Sequence, residues 1–386
     1  MSIARSSLRT ARTESAFLFG AVVTAVFYAS PDVLPGTPAL DVRTGIFFLL
    51  VFGAMLWCAF GVVRHADCLA EILGEPYGTL VLTLAVISIE VSLIASIMLL
   101  GENEPALARD TMFAVMMIIL NGMVGIALIL GAIKHREQHY NLEGAKAFLA
   151  VIIPLAVLTL VLPNYTSSTQ APTFSTVQAV FFATSTIVLY GVFLVIQTVR
   201  HTRHFVQPAP HGDPPSASHD PLAHVEAGHE PGHHETRSVP YHAVFLVLTI
   251  LPVVLLSKKL AIFVDFVTET QGAPVALGGM VIAILVLSPE GLSALRAALG
   301  NRLQRSVNIL LGSALATIGL TVPAILTIGL ITGKSVELGL DPVETVLLIL
   351  TLAVCALTFS GGRTNVLQGA VHFVLFLAYV VLIFNP

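Results

Sequence analysis

Leu84-Ala85-Val86-Ile87-Ser88-Ile89-Glu90-Val91-Ser92-Leu93-Ile94 decides the reading of this chain, because it sets one carboxylate inside an apolar run that carries no other charge between Glu75 and Glu102. The same feature returns in the second half as Ile284-Leu285-Val286-Leu287-Ser288-Pro289-Glu290-Gly291-Leu292-Ser293. A charged side chain at the centre of a bilayer costs about 2.5–3.5 kcal/mol on insertion scales, so such residues face the protein interior or a water-filled path and mark ion routes. A serine stands two residues before each glutamate, Ser88 and Ser288, and the pair of motifs predicts one unit used twice.

Composition places those runs in a membrane. Of the 386 residues 55% are hydrophobic and only 11% charged, with a mean hydropathy of +0.88; a soluble domain carries about 25% charged residues. The expected class is an all-α polytopic membrane protein, with the lipid bilayer as its surroundings and no nucleic acid as partner. Cys58, Cys68 and Cys355 lie in or beside apolar segments without CxxC spacing, which implies neither a disulfide framework nor a cysteine metal site. Arg5, Arg9 and Arg12 before an apolar run imitate a signal peptide, but no small-x-small cleavage site follows, so the run is read as a retained span.

Spans of roughly 17 to 25 apolar residues are predicted over Ala16 to Ala29, Thr44 to Val63, Tyr77 to Leu100, Thr111 to Ile133, Ala147 to Pro163, Phe174 to Val199, Tyr241 to Val264, Ala273 to Leu295, Val307 to Thr332, Val343 to Phe359 and Val366 to Phe384. Eleven helices put the termini on opposite sides. With the N-terminus in the cytoplasm, the inner segments hold 14 of the 19 Lys and Arg: Arg5, Arg9, Arg12, Arg64, Lys134, Arg136, Lys146, Arg200, Arg203, Arg237, Arg296, Arg302, Arg305 and Arg363. That bias is the one expected of a correct topology, and it leaves the C-terminus outside a cytoplasmic membrane.

The expected organisation is an N-terminal tail and extra helix (1–43), a five-helix repeat (44–199), a cytoplasmic linker (200–240) and a second five-helix repeat (241–386). Five is odd, so the second repeat enters the membrane in the opposite sense to the first. Inverted repeats meeting near the midplane are a recurrent transporter architecture, and Glu90 and Glu290 then occupy the second helix of each. Pro289 is expected to break or kink its helix and free carbonyl oxygens beside Glu290. Asn121 and Asn308, in the third helix of each repeat, are placed to complete an ion site or, equally, to bond between helices. Glu102, Glu104 and Asp110 read as an acidic outer vestibule or as an ordinary solvated loop. His372 and Asp265 receive no role.

The linker is rich in proline and histidine, with His201, His204, His211, His219, His224, His229, His233 and His234, and reads as disordered. His229-Glu230-Pro231-Gly232-His233 spells the H-E-x-x-H zinc-protease pattern, but that chemistry needs both histidines on one face of a helix, which Pro231-Gly232 prevents. Weak regulatory metal binding at His229, His233 and His234, or pH sensing, is the alternative to an inert linker.

Several of these stretches resemble the calcium/cation exchanger superfamily, specifically its calcium/proton exchanger branch, with the strongest likeness to bacterial ChaA-type sodium(potassium, calcium)/proton antiporters. The likeness is carried by Glu90-Val91-Ser92-Leu93-Ile94, Leu107-Ala108-Arg109-Asp110-Thr111, Asn121-Gly122, Lys134-His135-Arg136-Glu137, Leu287-Ser288-Pro289-Glu290, Thr317-Ile318-Gly319-Leu320-Thr321-Val322-Pro323, Leu357-Thr358-Phe359 and Arg363-Thr364. The resemblance implies a transporter that is not an enzyme and has no cofactor, in which Glu90 and Glu290 bind Ca²⁺, Na⁺ or K⁺ in exchange for H⁺. The family's Gly-Asn-Ala-x-Glu motif is here Val86-Ile87-Ser88-Ile89 and Val286-Leu287-Ser288-Pro289 before the glutamates. Losing the asparagine amide weakens the transfer of a high-coordination Ca²⁺ site. The rival classes, a membrane-embedded hydrolase and a passive channel, lack a catalytic constellation and a filter-like repeat respectively.

Overall fold

Helix starts in this chain are set by polar side chains that satisfy the first free backbone N–H groups. Asp41 caps one start by accepting from the Thr44 amide at 2.7 Å, and Ser175 with Gln178, Asp341 with Glu344, and Asn365 with Gln368 form capping boxes at three others. Gly333, at φ 70°, ends a helix in the left-handed region that glycine adopts without strain. The computed structural model describes residues 13–29, 39–74, 77–100, 105–208, 237–274 and 276–385.

Among the described residues the chain forms α1 (Ser15–Ala29), α2 (Val42–Leu73), α3 (Tyr77–Leu100), α4 (Leu107–His135), α5 (Leu142–Tyr165), α6 (Thr176–Arg200), α7 (Val239–Thr268), α8 (Ala276–Leu299), α9 (Leu303–Thr332), α10 (Pro342–Thr358) and α11 (Val366–Phe384). Eight of these, α2, α4 to α9 and α11, are long and apolar enough to cross a membrane; α1, the Thr83–Ser96 stretch of α3, and α10 are shorter apolar helices.

Three local expectations need correction. First, helices outrun their apolar cores: α2 continues ten residues past Val63 through Arg64, His65, Asp67 and Glu71, because straight-chain charged residues sustain a helix as well as apolar ones do. Second, Pro289 does not break its helix, and α8 is continuous through it. A proline removes one N–H, so only the Leu285 carbonyl loses its helical donor, and the packed helix tolerates that. Third, the chain is not purely helical: β1 (Gln138–His139) and β2 (Arg363–Thr364) pair antiparallel, Gln138 opposite Thr364.

Loop contacts sort the helix ends onto two faces. Beside the β1–β2 pair, Lys134 Nζ and Gln138 Nε2 donate to the Leu299 and Ala298 carbonyls at 3.0 and 2.8 Å, which places the α4–α5, α8–α9 and α10–α11 connections together. On the opposite face the Glu337, Leu338 and Leu340 amides donate to the Pro105, Pro172 and Leu160 carbonyls.

The buried side chains form two separate cores. One is built by α1, α2 and α7 with one face of α3 (Ala85, Val86, Ile89, Leu93) and of α8 (Ile282, Leu285, Val286). The other is built by α4, α5, α6, α9, α10 and α11 with the opposite faces of the same two helices (Ile87, Ile94, Met98; Ala283, Leu287, Ala294). The helices that carry Glu90 and Glu290 are therefore the seam of the molecule. Within the larger core α4 and α11 cross so closely that a Cβ at Gly125 would lie 2.8 Å from the Phe373 nitrogen, and one at Gly369 the same distance from the Ile129 nitrogen. Such small-residue crossings let helices associate by van der Waals packing where lipid supplies no hydrophobic drive.

Candidate functional site

Glu90 is buried, with 1% of its surface exposed, and Glu290 is partly exposed. One helix serves both. Thr317 Oγ1 of α9 donates to Glu90 Oε2 at 3.0 Å, and Ser313 Oγ, one turn earlier on the same face, donates to Glu290 Oε2 at 2.5 Å. Residues four apart on a helix are neighbours, about 5–6 Å between Cβ atoms, so the two carboxylates, one from each half of the chain, are held a single turn apart along α9. They act on each other electrostatically, and the exposed Asp67 of α2 acts on Glu290.

The backbone under this site is irregular. Thr317–Thr321 is π-helical, and Ile118–Met123 of α4, containing Asn121 and Gly122, is π-helical at the corresponding place in the first half. Such single-turn π segments recur at functional sites because they redirect side chains and loosen the regular hydrogen-bond ladder. Met123 packs against Gly291, where a Cβ would lie 2.5 Å from the methionine Cε. A side chain after Glu290 would therefore have to displace the flexible end of Met123. Among the described residues, Glu90 Oε1 and, another turn along α9, Thr321 Oγ1 are buried without a hydrogen-bond partner. Carboxylate and hydroxyl oxygens of this kind are hard donors that suit an alkali or alkaline-earth cation.

The other residues singled out from the sequence fall elsewhere. Ser88 and Ser288 donate to carbonyls of their own helices, Leu84 at 2.6 Å and Ile284 at 2.5 Å, and do not join the glutamates. Asn121 is fully buried, but its Nδ2 donates to Thr351 Oγ1 at 2.8 Å and its Oδ1 lies 3.3 Å from His372 Nδ1. His372 in turn lies 3.0 Å from Thr358 Oγ1, so this amide ties α4 to α10 and α11. Asn308 donates to the Phe205 carbonyl at 2.7 Å and accepts from Gln304 at 2.8 Å, anchoring the segment that follows α6. Asp110 is 5% exposed and paired with Arg109 at 2.8 Å, so it is a packed salt bridge and not part of a vestibule. Glu102, Glu104, His229, His233 and His234 lie outside the described residues; among those described, no group of three His, Cys, Asp or Glu side chains could hold a metal. Sequence reading missed Ser313, Thr317 and Thr321. Their spacing of four was the available signal, a hydroxyl stripe on one face of an otherwise apolar helix.

Two helix-borne carboxylates at the seam of a many-helix membrane bundle define the class: a multi-pass membrane transporter of ions. The pattern of the sodium/calcium exchanger protein family matches residues 43–199 and 241–385, and the chain belongs to that family. It is 40% identical over 386 residues, the full length of both chains, to the sodium-potassium/proton antiporter ChaA of Escherichia coli. It is also 41% identical over 95% of its length to a putative ionic transporter of Sinorhizobium fredii, covering 94% of that protein. Among solved structures the fold is similar to native YfkE, with a TM-score of 0.71 at 15% identity over 96% of this chain and 100% of that one. It is likewise similar to the H⁺/Ca²⁺ exchanger CAX, with a TM-score of 0.64 at 15% identity over 96% and 88%.

Proposed function

We propose that this chain is a proton-coupled antiporter of the cytoplasmic membrane that exports Na⁺, K⁺ or Ca²⁺ in exchange for H⁺ by alternating access at Glu90 and Glu290. The observation that carries the reading is the attachment of both carboxylates, one per half, to successive turns of α9. A carboxylate buried without a counter-charge is costly, so Glu90 is stable only with a proton or a cation, and a pair of carboxylates that can hold either but not both exchanges one for the other. Thr317 and Ser313 orient the carboxylates, and Glu90 Oε1 with Thr321 Oγ1 supply further oxygens to the cation.

The seam supports the alternation. With the glutamate helices shared between two cores, relative movement of the cores re-exposes the site without unpacking either. Partial exposure of Glu290 within electrostatic reach of Asp67, against full burial of Glu90, fits a state open toward the end that carries Arg305. We assign that end to the cytoplasm, which is the side a reading with eleven spans and most Lys and Arg inside gives it.

Na⁺ and K⁺ come first as substrates, because a relative of 40% identity is a sodium-potassium/proton antiporter. Ca²⁺ follows; a relative from Aphanothece halophytica, a Ca²⁺/H⁺ antiporter, is 24% identical over 64% of this chain. The deciding experiment is cation-dependent proton flux in proteoliposomes with each cation in turn. Flux with none of the three removes the proposal.

Topology is checked independently. Single cysteines at Ser218 and Asn385 in a cysteine-free background are expected to label from opposite faces of the membrane; same-side labelling contradicts the inverted arrangement. Deletion of residues 209–236, which retains the Phe205 carbonyl that anchors Asn308, is expected to leave flux within about twofold, as surface changes away from packed features are nearly neutral. Complete loss in an inserted protein assigns the linker to the transport machinery.

A further inference from the structure

A second set of titratable side chains, none of them bonded to the transport carboxylates, is buried where the start of α1, the last turns of α2 and the start of α7 meet. Glu14, immediately before α1, is 2% exposed, His65 of α2 is 1% and His242 of α7 is 5%. Glu14 Oε2 receives Arg64 Nη2 at 2.7 Å and lies 2.9 Å from His65 Nε2, while Tyr241 OH donates to Glu14 Oε1 at 2.5 Å. Arg64 also donates to the Thr13 carbonyl. The two imidazoles face each other, Nδ1 to Nδ1, at 3.0 Å. His242 Nε2 accepts the Arg237 backbone N–H at 3.3 Å, and the Arg237 guanidinium lies over the Tyr241 ring, 4.6 Å from its centre.

One arrangement of the protons satisfies these contacts together, with the Arg64 and His65 donors both directed at Glu14. The Arg237 amide can only donate, so His242 Nε2 is an acceptor and its ring proton is on Nδ1. That proton points at His65 Nδ1, which must accept, leaving the His65 proton on Nε2 to donate to Glu14. Arg64 Nη2, 3.0 Å from His65 Nε2, converges on the same carboxylate oxygen. One proton thus lies between the two Nδ1 atoms, and the neutral pair satisfies the whole chain from Arg237 to Glu14.

A further proton has no place in this arrangement. Added at His65 Nδ1, it either confronts the His242 Nδ1–H at 3.0 Å or moves the His242 proton to Nε2, where it confronts the Arg237 N–H. Each alternative breaks one link. Glu14 does not absorb the proton instead: burial pushes its carboxyl up, but the hydrogen bonds from His65 and Tyr241 and the Arg64 charge outweigh burial and hold it at about 2. Imidazoles are the side chains that ordinarily change charge between about pH 5 and 8.

We propose that His65, His242 and Glu14 form a regulatory proton-binding site, distinct from Glu90 and Glu290, which in its neutral form clasps α1 and the end of the 200–240 linker to the first helices of both halves and which opens on taking up a proton. The two histidines come from residues 177 apart in sequence, so the clasp joins the halves of the transporter directly. Its occupant is H⁺, and it reports the pH on the face where Arg237 stands.

The test is amide hydrogen exchange of the full-length protein in detergent, followed over residues 237–245 and corrected for the intrinsic pH dependence of exchange. Opening that requires one bound proton makes protection fall by up to about tenfold per pH unit below the imidazole range. In His65→Gln and His242→Gln that slope is expected to flatten, while protection over residues 303–332 stays at the parental level and certifies the fold. A flat profile in the parent, or an unchanged slope in both variants, overturns the proposal. The measurement needs no transported cation, so its failure is separate from failure of the antiporter reading.

Discussion

Glu90→Gln and Glu290→Gln are each expected to reduce cation-dependent proton flux in proteoliposomes to that of empty vesicles, with expression and membrane insertion unchanged. Glutamine keeps the volume and can still accept from Thr317 or Ser313, so the loss isolates the charge. The expected size follows by comparison: removing a group that merely orients an ion ligand costs about 10–100-fold, and removing the ligand costs more. Thr317→Val and Ser313→Ala supply that intermediate class, since each deletes the donor to one carboxylate oxygen and leaves the carboxylate in place. Flux should fall in them without vanishing, and cation affinity should shift with it. Near-parental exchange in either glutamine variant removes that residue from the site, and equal loss in the valine and glutamine variants would mean that the hydroxyl, not the carboxylate, is limiting.

The glutamates were legible because charge in an apolar run is expensive, and a cost that large is visible without coordinates. Val366–Phe384 was legible to the residue, because polar residues bound that apolar run on both sides. What the sequence could not convey is direction around a helix. Ser88 and Ser288 stand two residues from the glutamates, about 200° around a helix of 3.6 residues per turn, and their hydroxyls bond back to their own backbone. Asn121 and Asn308 were legible as amides within apolar helices but not as partners of His372 and Phe205, contacts that span 251 and 103 residues. The hydroxyl stripe of α9 was overlooked because serine and threonine are unremarkable in membrane helices until a carboxylate from another helix is set against them. Likewise nothing in the sequence sets His65 and His242 apart; only the packing of α2 on α7 makes them a pair.

Arg109→Met is expected to be the most destabilising single change outside the transport site. Arg109 Nε donates to Asp110 Oδ1 at 2.8 Å and Nη1 donates to the Gly339 carbonyl at 3.0 Å, with Asp341 Oδ1 at 3.6 Å. Removing it strands Asp110, 5% exposed, and breaking a buried pair from one side costs about 3–5 kcal/mol. It also releases the connection between α9 and α10 near the point where the Glu337, Leu338 and Leu340 amides bond to three other segments. The double variant Arg109→Met with Asp110→Asn leaves no stranded charge, so it should recover most of the loss in thermal unfolding in detergent while still lacking the tie to Gly339. If the double variant is as unstable as the single one, the Gly339 carbonyl bond and not the ion pair secures this end of the bundle. If neither differs from the parent, the pair does not hold the helices together, and Asp110 returns to the pool of carboxylates that can meet a cation on its way to Glu90.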